Sequence, residues 1–144
     1  MDTERINSKL KDLASLMEEI RGSLKAKSAA AYTKEGYTVK RTIERDMQLI
    51  SEVQLDILIQ LYKSLNLAAP GEEKSIITAM DKLMDKKLVE KIRARRSLRN
   101  ELVHAYKDAN DKEVFELADD LKDLERFITD VKKLVSKRNS ESMP

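Results

Sequence analysis

Apolar residues in this chain return at intervals of three and four, over one long stretch after another. That spacing puts side chains on one face of a 3.6-residue helix and does not fit the alternation of a half-buried strand. The first stripe reads Ile6, Leu10, Leu13, Met17, Ile20 and Leu24, with Asp2 or Thr3 placed to cap its start and Gly22 weakening its last turn. A polar link containing Tyr32, Thr33, Gly36 and Tyr37 follows. Thr38 is then placed to cap a second helix that runs to about Asn66 and carries Val39, Ile43, Met47, Ile50, Val53, Ile57 and Leu61. Leu55, Leu58 and Tyr62 widen its face and mark it as the most buried helix.

Leu65 to Gly71 breaks the period, and Pro70-Gly71 marks a loop. A short helix with Ile76, Ile77, Met80, Leu83 and Met84 comes next, then one from about Lys87 to Tyr106. Asn110, with Glu113 three residues on, starts a last helix whose stripe is Val114, Leu117, Leu121, Leu124, Ile128, Val131 and Val135. Long helices with short links in 144 residues predict an all-α fold, an antiparallel up-down bundle of four to five helices. The expected domain is single, residues 1–137, with a flexible polar tail at 138–144. Composition agrees: aromatics are 4%, with three Gly and two Pro, which is poor material for sheets and tight turns.

Zero cysteines exclude disulfides and thiolate chemistry and suit a reducing cytosol. No apolar run approaches a bilayer span, and the start Met1-Asp2-Thr3-Glu4-Arg5 is too charged for a signal peptide. A cytoplasmic protein without a membrane partner is expected. A lone histidine cannot build a multi-histidine metal site within one chain, and no Gly-rich phosphate loop is present. No metal and no cofactor are expected, which leaves metal-independent acid–base chemistry or none.

The net charge of +2 predicts no partner, but its distribution is uneven. From Asp85 to Arg99 seven basic residues face two acidic ones, and from Asp108 to Glu125 eight acidic residues face Lys112 and Lys122. Neighbouring helices could pair these charges on solvated faces, or the basic run could be a phosphate-binding face beside an acidic flank. On a helical wheel Leu88, Val89, Ile92, Val103 and Tyr106 share a face, with Arg99 in its middle, Arg95 beside it and Arg96 at its edge. An arginine in an apolar stripe needs a carboxylate inside the bundle, an anion site, a subunit junction or a route along its neighbours to water. Glu44 and Asp46 are the carboxylates in view.

The lone histidine stands in Arg99-Asn100-Glu101-Leu102-Val103-His104-Ala105-Tyr106. Asn100, one turn before His104, is near enough to orient the imidazole. By itself His104 could be a satisfied structural residue and Tyr106 an amphipathic core tyrosine with its hydroxyl at the surface. The string resembles the signature of the HEPN superfamily, specifically HepT-type ribonuclease toxins of HEPN/MNT toxin–antitoxin pairs. Arg41-Thr42-Ile43-Glu44-Arg45-Asp46-Met47-Gln48 is similar to that family's second-helix motif, and the Pro70 loop falls where relatives place one. Lys107 departs from the pattern, since many relatives carry an aromatic there.

The resemblance implies an endoribonuclease that cuts RNA without metal. The 2′-hydroxyl attacks the adjacent phosphorus, with His104 as general acid or base, Arg99 stabilising the phosphoryl oxygens and Asn100 positioning. Arg93, Arg95 and Arg96 are the expected further RNA contacts. On a straight helix Arg99 and His104 lie about 140° apart, so one copy cannot easily grip one phosphate. A homodimer pooling two copies of each residue resolves this, and the resemblance implies the same assembly. It also implies a nucleotidyltransferase antitoxin that transfers AMP to Tyr106. The alternative is a noncatalytic RNA- or nucleotide-binding domain, or one that docks the nucleotidyltransferase.

Overall fold

In a computed structural model of the chain the described residues are 3–65, 73–104 and 110–142, the side chains of 73–74 and 138–142 excepted. They form α1 (Thr3–Ser23), α2 (Ala29–Thr33), α3 (Tyr37–Ser64), α4 (Glu73–Ala79), a 3-10 turn (Met80–Lys82), α5 (Lys86–Val103), α6 (Asp111–Asp119) and α7 (Lys122–Ser142). Among these residues there is no strand, and no helix is long and apolar enough to cross a membrane.

The stripes read from the sequence are the core. Ile6, Leu13 and Ile20 of α1, Ile43, Ile50, Ile57 and Leu61 of α3, and Val114, Leu124 and Val131 of the last two helices are fully buried in one continuous cluster. Charged pairs at the seams give the helix directions. Lys9 meets Asp56 across α1 and α3, Arg99 meets Glu52 across α3 and α5, and Arg95 meets Asp123 across α5 and α7. Lys9 is early in α1 and Asp56 late in α3, so these two helices run antiparallel, and α5 lies between α3 and α7.

Four boundaries differ from expectation. The polar link forms the short α2, because Ser28 Oγ accepts the Ala31 amide and Tyr32 packs inward against Phe115 of α6. Gly36, not Thr38, caps α3, so Thr38 lies inside the first turn and its carbonyl accepts the Thr42 hydroxyl. The last apolar stripe is broken into α6 and α7 at Asp120-Leu121, although its side chains still share one core. Asp120 uses its side chain to cap the Lys122 amide and its carbonyl to accept Arg95, which holds the chain extended at that point. The helix itself continues to Ser142, beyond Lys137. Asn110 caps α6 as expected, accepting the amides of Lys112 and Glu113. The Pro70 loop lies outside the described residues.

Asp46 is 3% exposed and faces α1, not α5. Burial pushes its carboxyl up to about 6 from the ordinary 3.8; the charge and hydrogen bond of Glu19 add to this, and Arg45 pulls it back. A folded-state value above the unfolded one means the folded state binds more protons. The associated stability is present below about pH 4 and lost as pH rises through about 6. Asp46→Asn is therefore expected to raise stability above pH 6 by about 1–2 kcal/mol and to flatten the decline between pH 4 and 6. Thermal melts at a series of pH values check this.

Candidate active site

The residues singled out by the sequence lie on α5. Asp85 caps its start by accepting the Lys87 amide at 2.7 Å, and this bond, with Arg126 nearby, holds the Asp85 carboxyl below its ordinary range. The helix ends at Val103, and His104 forms its C-terminal cap, donating its backbone N–H to the Asn100 carbonyl at 3.1 Å. The His104 side chain is exposed. Val103 beside it is 42% exposed, although the helical wheel placed it on the core face. It occupies the final helical turn, where α5 gives out.

Arg99 is half-buried and docked on α3. Its Nε and Nη2 donate to Glu52 Oε1 at 3.2 and 2.9 Å, and Gln48 Nε2 donates to the same oxygen at 3.3 Å. The remaining guanidinium nitrogen, Nη1, reaches Asn100 Oδ1 at 3.4 Å. One edge of the guanidinium is thus anchored and the other turns toward Asn100. Such a fork is stiffer than a solvated arginine because its rotamer is held from two sides.

Glu52 is the partner that sequence reading missed, in favour of Glu44 and Asp46. In the register of α3 and α5 the carboxylate reaching Arg99 sits six residues beyond Asp46. Gln48, the last residue of the second-helix segment, supplied the one local clue. Asn100 also differs from expectation: its side chain serves Arg99, and its link to His104 is through the backbone. No hydrogen bond joins the imidazole to Arg99 or Asn100 among the described residues.

The basic run diverges around the helix. Arg95 is 1% exposed, with Nε and Nη2 each 2.8 Å from a carboxylate oxygen of Asp123 and Nη2 also donating to the Asp120 carbonyl at 3.1 Å. It is sealed in the seam between α5 and α7 and is not presented at the surface. Arg96 is half-buried beside Ser51, Gln54 and Ile77. Arg93 is exposed and reaches Thr78 and Asp81. Two hydrogen-bonded carboxyls, Glu101 and Glu113, lie on either side of residues 105–109, and burial together with Glu101 raises the Glu113 carboxyl. Tyr106 lies outside the described residues. Among the described residues no group of three or more metal-ligating side chains converges.

Three comparisons bear on this arrangement. No curated protein matches the chain. The structure is similar to a HEPN toxin of Shewanella oneidensis, solved tri-AMPylated in complex with an MNT antitoxin: TM-score 0.81, 22% identity, 92% of this chain and 99% of that chain. It is also similar to a chain from a toxin–antitoxin crystal structure with AMP-PNP: TM-score 0.79, 20% identity, 91% of this chain and 99% of the other. At these identities the likeness is one of fold. The family model for HepT-like ribonucleases matches residues 11–131. A match that runs from within α1 to within α7, through the whole of α5, places the chain in the HepT-like ribonuclease family.

Proposed function

We propose that this chain is a metal-independent endoribonuclease, the toxin of a toxin–antitoxin pair, with its active site shared between two copies. The observation that carries the reading is the end of α5, where an exposed His104 follows an Arg99 anchored by Glu52 and turned toward Asn100. The family membership and the likeness in fold to chains solved in toxin–antitoxin complexes support it.

The chemistry follows from the groups present. The imidazole of His104 from one copy takes the proton of the 2′-hydroxyl as that oxygen attacks phosphorus. The bond to the 5′-oxygen breaks, and the imidazolium of His104 from the other copy gives that oxygen a proton. The products are a 2′,3′-cyclic phosphate and a 5′-hydroxyl. Arg99 stabilises the charge that builds on the equatorial oxygens, and Asn100 positions Arg99 or the phosphate. Arg93 and Arg96 are proposed as outlying RNA contacts; Arg95, enclosed by Asp123, acts as scaffold. The exposed Val103 beside His104 suits a face covered by a second copy. Tyr106 is proposed as the acceptor of AMP from a nucleotidyltransferase antitoxin, where the added charge and bulk would exclude RNA phosphate.

The test is incubation of purified protein with RNA in excess chelator. Cyclic phosphate ends are expected from RNA and none from DNA, which lacks the nucleophile. No cleavage by the wild type would remove the enzyme assignment. A clean monomer by light scattering would remove the shared site. AMP added by the partner is expected to be lost in Tyr106→Phe, read by intact mass.

A further inference from the structure

Away from the end of α5, its other half forms one wall of an open cleft of about 600 Å³ whose opposite wall is the start of α7. The floor is apolar, made by Leu88 and Ala94, and Lys87, Lys91 and Lys122 stand around it. These three side chains are exposed and form no ion pair among the described residues. The acids nearby do not cancel them. Asp123 is engaged by the buried Arg95, and Arg126, itself at the cleft, is shared between Asp85 and Asp130. The lining of the cleft itself carries Lys87, Lys91, Lys122 and Arg126 against Glu90 and Asp123. A concave surface with surplus cations over an apolar floor suits a chain of phosphates whose bases or riboses rest against the aliphatic stems.

We propose that this cleft is a second RNA-phosphate site, separate from the reacting bond, which holds the strand while the end of α5 cuts it. The proposal rests on the reading above that the substrate is RNA. Lys91 and His104 lie thirteen residues apart on one helix, or about 20 Å at 1.5 Å per residue, so the cleft contacts nucleotides several positions from the scissile linkage. Contacts of this kind position a strand without reading its sequence.

The test is fluorescence anisotropy of a labelled, uncleavable 2′-O-methyl oligouridylate with the full chain at several salt concentrations. The variants are Lys91→Glu with Lys122→Glu, and a control of equal charge change, Lys132→Glu with Lys133→Glu, on exposed positions of α7 beyond the cleft. The cleft variant is expected to weaken binding about tenfold or more and to reduce the salt slope by about 1.4, two contacts at about 0.7 each. The control is expected to stay close to the wild type. Equal weakening by both variants would mean that only the overall field acts, and would overturn the proposal. So would cleft-dependent binding of AMP or ATP with no effect on the oligonucleotide, or a change in light-scattering mass showing that the cleft joins copies. A wild type that binds no oligonucleotide at low salt would sink the RNA reading and the cleft with it; a wild type and cleft variant that bind alike would sink the cleft alone.

Discussion

His104→Ala is expected to lower RNA cleavage by about two to four orders of magnitude, the range for losing a general acid or base. The protein should remain folded. The ring is exposed and outside the core, and the bond that His104 contributes to the end of α5 comes from its backbone N–H, which alanine retains. A melting temperature equal to the wild type's, together with lost cleavage, separates chemistry from stability. Co-expression with wild type sharpens the test. If acid and base come from two copies, one altered copy disables a site, and random pairing at equal amounts leaves about a quarter of the activity. Half the activity would mean that each copy works alone, and unchanged cleavage by the pure variant would remove His104 from the mechanism.

Arg95→Ala is expected to destabilise the fold by about 3–5 kcal/mol, because removing one member of a buried pair leaves the other charge uncompensated. Asp123 would keep its carboxylate at 10% side-chain exposure with no guanidinium, and the Asp120 carbonyl would lose its donor. Both losses fall at the junction of α6 and α7. Urea unfolding should show a lower midpoint with an unchanged m-value. Arg95→Met combined with Asp123→Leu is expected to recover most of the loss, since an apolar pair carries no desolvation cost. If Arg95→Ala costs under about 1 kcal/mol and RNA binding falls instead, Arg95 is a surface ligand and the buried seam is wrong.

These two residues differ in how far the sequence disclosed them. His104 stood out as a candidate because its neighbours Arg99 and Asn100 are close in the chain, at the end of one helix that it caps. Arg95 was legible as an oddity, a cation beside an apolar stripe, but it was read as part of an outward basic face. Its real surroundings are Asp123 and Asp120, which α6 and α7 bring back across α5. The choice of Glu52 over Glu44 and Asp46 was hidden for the same reason. All three carboxylates lie on α3, and only the stagger between α3 and α5 selects among them. Asp46 turned out to face α1 and Glu19.

Local periodicity by itself determined that the described residues fold as helices, which apolar stripes form the core, and that Asn110 starts a helix. Side chains three and four residues apart share a face in any α-helix, whatever it packs against. The tertiary structure alone decided which charges meet, where the last stripe breaks, and that three exposed lysines stand around one cleft. Those outcomes depend on the register between helices distant in sequence, and a displacement of one turn there exchanges one carboxylate for another without altering any helix.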